Sequence, residues 1–173
     1  MDVAFLVARE GIEQAELTEP WKAVEHAGHM PRLISPEPGR VQAYHHLNPA
    51  DRFEVDVVAA DARAADYAAL VLPGGVANGD LLRWQAPAVE FVRQFAATGR
   101  PIAVICHGGW ILIETGTVSG KRITSWPSLQ TDYRNAGATW VDAEVVVDGN
   151  LISSRKPDDL QAFCKELVAA LSG

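Results

Sequence analysis

A cysteine, a histidine and two glycines, Cys106-His107-Gly108-Gly109, close the apolar run Ile102-Ala103-Val104-Ile105. A thiol is a strong nucleophile at neutral pH once something takes its proton or stabilises its charge. A buried strand that runs into such a residue, then into small residues and a new helix, has the chain order of a nucleophile elbow. Gly108 suits that turn because backbone passes close to backbone there. The helix just beyond is expected to set its positive end near Cys106 and to favour the thiolate. The competing reading is a buried small hydrophobe, which free cysteines usually are. The strand-Cys-His-Gly-Gly setting weighs for chemistry.

Leu72-Pro73-Gly74-Gly75 ends a second apolar run in a glycine pair. Its amides are free to face a ligand beyond the carboxyl edge of a sheet, where open α/β folds bind. The amides of Gly75 and His107 together would form an oxyanion hole. Gly74, Trp110, Trp126 and Pro127 are candidate pocket walls, although packing accounts for the aromatic residues equally well. His26, His29, His45 and His46 show no spacing typical of a metal site and are read as solvated, so no metal is expected. Cys164 falls on the core face of the last helix and is expected to be inert. A Gly-x-Gly-x-x-Gly turn after the first strand is missing, which argues against a nucleotide or flavin, and no cofactor is expected.

These residues need a scaffold, and the hydrophobic pattern supplies one. Short apolar runs at 3–8, 68–72 and 101–105 alternate with amphipathic segments, as when helices cover both faces of a mostly parallel sheet. Leu17, Trp21 and Val24 share a helical face that stops at Gly28, with the start either capped by Thr18 or nearer Glu13. Pro20 favours the first of these, because proline suits a first turn. From Pro36 to Asp56, alternating pieces at Val41–His46 and Phe53–Val57 predict an antiparallel excursion on the sheet edge. A helix over Pro87–Thr98 turns Val89, Val92, Phe95 and Ala96 inward. Another follows Cys106 and ends before Gly116. Asp148-Gly149 between two apolar stretches predicts a hairpin. The last helix begins at Pro157 and buries Leu160, Phe163, Cys164, Leu167, Val168 and Leu171.

With 173 residues and 48% hydrophobic content, the chain suits one domain spanning 1–173. A formal charge of −7 with no basic run argues against nucleic acid and anionic membrane surfaces. The N-terminal residues carry no positive n-region, so they are read as a buried strand and not as a signal peptide. Two cysteines far apart predict no structural disulfide, and the expected location is the cytoplasm.

Six segments resemble one family in register over nearly the whole chain: Glu13-Gln-Ala-Glu16-Leu-Thr-Glu-Pro20, Leu72-Pro-Gly-Gly75, Ile105-Cys-His-Gly108, Leu112-Ile-Glu-Thr-Gly116, Thr124-Ser-Trp-Pro127 and Val147-Asp-Gly-Asn-Leu-Ile-Ser-Ser-Arg155. The resemblance is to the PfpI (ThiJ/PfpI) family of intracellular proteases. Its wider superfamily holds the Parkinson-associated protein deglycase, glyoxalase-type enzymes and bacterial stress proteins. It implies a flavodoxin-like sandwich and a homodimer or larger assembly. It also implies Cys106 as nucleophile, His107 as its base and Glu16 as a pocket acid on the sulfur. The acid partner of the histidine lies in the loop after the glycine pair and can come from a neighbouring subunit, and Asp80 in Val76-Ala-Asn-Gly-Asp80 matches it best. Gly109 stands where many members have proline. The implied activity is that of a cysteine-dependent, stress-protective hydrolase acting on peptides, glycated groups or small carbonyl compounds, with a redox sensor oxidised at Cys106 to sulfinate as the alternative. Independently of the family, a carboxyl in a dry pocket beside a thiolate is expected to keep its proton.

Overall fold

The computed structural model describes residues 1–173. In chain order it has β1 (Asp2–Leu6), β2 (Glu10–Glu13), α1 (Gln14–His26), β3 (Met30–Ser35), β4 (Arg40–His45), β5 (Asn48–Glu54), β6 (Val57–Val58) and β7 (Tyr67–Leu72). Next come α2 (Val76–Arg83), α3 (Ala86–Ala97), β8 (Ile102–Ile105), α4 (Trp110–Glu114), β9 (Arg122–Ile123) and α5 (Gln130–Asn135). The chain ends with β10 (Thr139–Trp140), β11 (Val145–Asp148), β12 (Leu151–Ser154) and α6 (Leu160–Ser172). Seven strands form the central sheet in the order β11-β12-β8-β7-β1-β3-β6, parallel except for the edge hairpin β11-β12. This is the doubly wound α/β architecture that the alternating pattern predicts.

The alternation of side chains along each strand divides the core in two. Ala4, Leu6, Leu70, Leu72, Ile102 and Val104 face one layer, packed with Phe91, Val92 and Phe95 of α3. Val3, Phe5, Val71, Ala103 and Ile105 face the other, packed with Leu17 and Val24 of α1 and Phe163 and Leu167 of α6. Because both faces are covered, β1, β7 and β8 are apolar at nearly every position. Cys164 and Val168, expected inside, are only half-buried. No helix is long and apolar enough to cross a membrane.

Three expectations are corrected. Helix α1 starts at Gln14 and carries Pro20 in its interior. Thr18 is no cap: its hydroxyl donates back to the Gln14 carbonyl at 3.1 Å. Pro20 has no N–H to offer the Glu16 carbonyl one turn earlier. The antiparallel excursion does not extend the central sheet, because β4 and β5 join β2 in a separate three-stranded sheet. Finally, the segment after Gly74-Gly75 is the helix α2 and not a loop. Asn78 explains this, since its side chain accepts from the Ala8 amide at 2.7 Å and donates to the Pro73 and Gly74 carbonyls at 3.0 and 3.1 Å.

Candidate active site

Strand β8 delivers Cys106 to the carboxyl edge of the sheet. The Cys106 amide donates to the Ser154 carbonyl on β12 at 3.0 Å, continuing the ladder one residue past the strand. The chain then reverses: Cys106 has φ of 61°, and the Gly108 amide returns to the Ile105 carbonyl at 3.0 Å. A non-glycine residue in the left-handed region costs on the order of 1–3 kcal/mol and persists only where its surroundings enforce it. Here they do. A β-carbon on Gly108 would lie 2.5 Å from both the Leu72 and Pro73 carbonyls, so the elbow is pressed against the end of β7. One on Gly74 would lie 2.7 Å from the Cys106 β-carbon and would also meet Glu16. Gly75, at φ of 97°, turns the chain into α2.

The sulfur sits among four groups. His107 Nδ1 is 3.1 Å from Cys106 Sγ, so the histidine adjacent in sequence reaches the thiol. The backbone N–H groups of Gly75 and His107 bear on the sulfur and favour its charged form. Glu16, wholly buried in the first turn of α1, is the fourth. That turn is tied to the elbow by the Glu13 amide, which donates to the Gly74 carbonyl at 3.3 Å.

Burial pushes the Glu16 carboxyl from the ordinary carboxylate range up to about 8, so it holds its proton through neutral pH. Neither of its oxygens has a partner with hydrogen-bonding geometry, although the side chain lies close enough to Cys106 for each to influence the other's proton. Burial also pushes the Cys106 thiol up, and charge on Glu16 would push it further, while the two amides pull it back. The two acids therefore titrate as a pair that carries at most one negative charge near neutrality. His107 is pushed down to about 4 by burial and is neutral. The expected help from a helix end is small, because α4 has five residues and starts only at Trp110. The amides, and not a helix dipole, favour the thiolate, but burial outweighs them, so the expected lowering of the Cys106 thiol is not found.

This site forms the floor of a pocket of about 670 Å³ lined by Glu16, Gly75, Cys106, His107, Trp110 and Trp126, with Asp80 at the rim. Pro127 is not among the lining residues and opens a short 3-10 turn outside it, and Gly74 lies beneath the floor. Sequence reasoning missed the opposite wall, where Glu13, Tyr44, His46 and Leu47 come from the three-stranded sheet and Pro157 from the start of the last helical segment. His46 occupies the tip of the hairpin at φ of 57°, and its amide donates to Glu13 Oε2 at 3.0 Å. Asp80 is exposed on α2 and makes no hydrogen bond to His107 within the chain.

Two neighbours complete the elbow. Gly79 of α2 has no room for a β-carbon because the His107 carbonyl and Trp110 occupy the space. Gly109 has none because the Tyr133 hydroxyl stands there, fully buried and without a hydrogen-bond partner.

A doubly wound sheet with a thiol on a strained turn at its carboxyl edge defines a class of cysteine-centred α/β proteins. The family model described as DJ-1/PfpI matches residues 1–170, and the chain belongs to the DJ-1/PfpI family. It is similar to a deglycase of Pyrococcus horikoshii, 41% identical over 171 residues and 99% of each chain. It is also similar to the deglycase PfpI of Pyrococcus furiosus, 39% identical over 171 residues and again 99% of each chain. Among solved structures, a two-domain protein of Anabaena variabilis with DJ-1/ThiJ/PfpI-like and ferritin-like domains superposes with a TM-score of 0.92 at 30% identity, over 99% of this chain and 50% of that one.

Proposed function

We propose that the protein is a cysteine-dependent enzyme acting on carbonyl or acyl groups, of the deglycase or amidase type, with glycated groups, small carbonyl compounds or peptides as substrates. The observation that carries this reading is the 3.1 Å approach of His107 Nδ1 to Cys106 Sγ on the floor of an open pocket. A neutral imidazole at that distance can take the thiol proton as sulfur attacks. Attack on a carbonyl carbon gives a tetrahedral hemithioacetal or acyl adduct, and its oxyanion faces the Gly75 and His107 amides. For an acyl group, collapse expels an amine that takes the proton back from His107, and water then releases the acid from the thioester. Glu16, still protonated, donates to the sulfur when it carries charge.

The names of the two Pyrococcus relatives favour deglycation among these substrates. Within the chain Asp80 stays at the rim, so it could serve as an acid partner of His107 only across subunits of a homodimer or larger assembly. Incubation with a glyoxal-modified amine and with a fluorogenic peptide, wild type against Cys106→Ser, tests the reading. Turnover of either by wild type alone is expected, and a stable covalent adduct on Cys106 with no product released overturns it.

A second reading rests on Glu16, whose unpartnered buried carboxyl beside the sulfur is placed to donate to an oxidised cysteine. Peroxide would then add two oxygens at Cys106 and leave Cys164 unchanged, which peptide mass mapping checks.

A further inference from the structure

Within the chain, His107 has a base's position without a carboxylate or carbonyl on its second nitrogen. A catalytic imidazole is ordinarily oriented by a carboxylate or carbonyl on its second nitrogen, which fixes the tautomer. The ring of His107 has one side-chain polar contact, the sulfur. The charged and titratable groups of the pocket and its aromatic wall are Cys106 and Glu16 on the sulfur side, Glu10, Glu13, Tyr44 and His46 across the pocket, Asp80 and Arg83 from α2, Glu114 from α4, and Asp132 and Tyr133 from α5. Of these only Cys106 hydrogen-bonds the imidazole.

Two indoles touch it instead. The Trp126 ring lies 5.7 Å away at an interplanar angle of 27°, and the Trp110 ring 5.5 Å away at 59°. Both distances are within the range of favourable aromatic contact. The Trp110 indole is fixed by its own contacts, and Trp126 by its backbone. Trp110 Nε1 donates to Asp132 Oδ2 at 3.0 Å, and the Arg83 guanidinium covers the Trp110 ring at 5.6 Å, held in turn by Glu114 at 2.8 Å. The Trp126 amide donates to the Cys106 carbonyl at 3.3 Å, so that residue is pinned to the elbow itself.

We propose that Trp110 and Trp126 hold the plane of the His107 imidazole with Nδ1 toward Cys106, and that Asp132 acts through Trp110 as a positioning residue. The proposal rests on the reading of His107 as the base. The same contact keeps water from the ring, which is why the imidazole stays neutral: protonating it would cost the desolvation of a cation.

The test uses two readouts that need no substrate, the titration of the His107 ring nitrogens by NMR and the rate of Cys106 alkylation by iodoacetamide against pH. Trp110→Leu should admit water and move the His107 midpoint from about 4 toward the free value of ~6.5, and lower the alkylation rate at neutral pH about tenfold. Trp110→Phe, which keeps a ring but loses the N–H, should fall between Trp110→Leu and wild type. Asp132→Ala should cost roughly threefold in alkylation, and Asp132→Asn, whose amide oxygen still accepts from the indole, should recover most of that. An unchanged His107 midpoint and alkylation profile in Trp110→Leu and Asp132→Ala would overturn the proposal, as would equal losses in Asp132→Ala and Asp132→Asn. If the clamp holds but wild type turns nothing over, the proposed function fails and the clamp stands.

Discussion

The floor and the far wall of the pocket are built on different principles. The floor is a meeting of backbones: Gly74 and Gly108 let the end of β7 and the elbow approach until no β-carbon fits, and Gly75 does the same against Gly11 and Glu13 of β2. The far wall is a hairpin anchored by buried Val41 and Ala43 and by its pairing with β2, but its tip is open, with Leu47 93% exposed and the His46 amide held by one hydrogen bond to Glu13. Packing of the first kind tolerates almost no displacement, whereas the second can shift at little cost. On the proposed function, chemistry would sit where packing is tightest and substrate admission at the open tip.

Substitutions on the two sides should differ accordingly. Cys106→Ser should remove turnover by a factor of about 10³ or more while leaving the melting temperature close to wild type, since an alcohol at that site is a far weaker nucleophile. Gly74→Ala should be nearly as damaging by another route. Its β-carbon would press on Cys106 and Glu16, costing roughly 1–3 kcal/mol in a thermal melt and most of the Cys106 alkylation rate. A melt and rate within error of wild type would show that the floor is softer than its geometry indicates.

Glu16→Gln separates charge from shape. The wild-type carboxyl titrates near 8 when folded but near ~4.3 when unfolded, so its contribution to stability is full below the lower value and is lost as pH rises through the upper one. Glutamine has no proton to lose. Glu16→Gln should therefore gain stability relative to wild type as pH rises from about 4 to about 8. His107, with its midpoint pushed down, contributes the opposite slope between ~6.5 and about 4, equally in both proteins. A pH series of thermal melts reads the difference, and parallel curves would mean that Glu16 is ionised in the folded state.

On the far wall, Glu13→Ala should raise KM a few-fold with kcat nearly constant and the melting temperature within a few degrees, as expected for one exposed hydrogen bond of about 1 kcal/mol. The smallest effect belongs to Asp80→Asn. If the aromatic clamp orients His107, kcat should fall less than about threefold; a loss of a hundredfold that deepens on dilution would restore Asp80 as a partner supplied across subunits.

The floor was legible in the sequence because it is made of short-range signals. Apolar runs ending in Gly-Gly and in Cys-His-Gly marked β7, β8 and the elbow, and their unbroken apolar character announced a sheet covered on both faces. The far wall was not, because β2 pairs with β4 some thirty residues later, and nothing local in Glu10–Glu13 announces that. Asn78-Gly79 has the composition of a turn, yet it is helical because the Asn78 side chain finds its partners on β1 and β7, a relation that no window of sequence contains. Thr18 before Pro20 has the form of a helix start, but the hydroxyl was spent on Gln14. Trp110 and Trp126 were visible as candidates, while their contact with His107 depends on three separate elements and could be seen only once these were assembled.

Gly109 and Tyr133 bear on how such a site can change over generations. The tyrosine hydroxyl occupies the volume that any side chain at 109 would need, so the proline common at that position in the family cannot be acquired here in one step. Tyr133 would have to shrink first, and that intermediate would carry a cavity in the core costing on the order of 3–5 kcal/mol if the ring were lost outright. The two positions are thus coupled by volume, and the Tyr133 hydroxyl, buried without a partner, is the group that has to leave before any side chain can enter at 109.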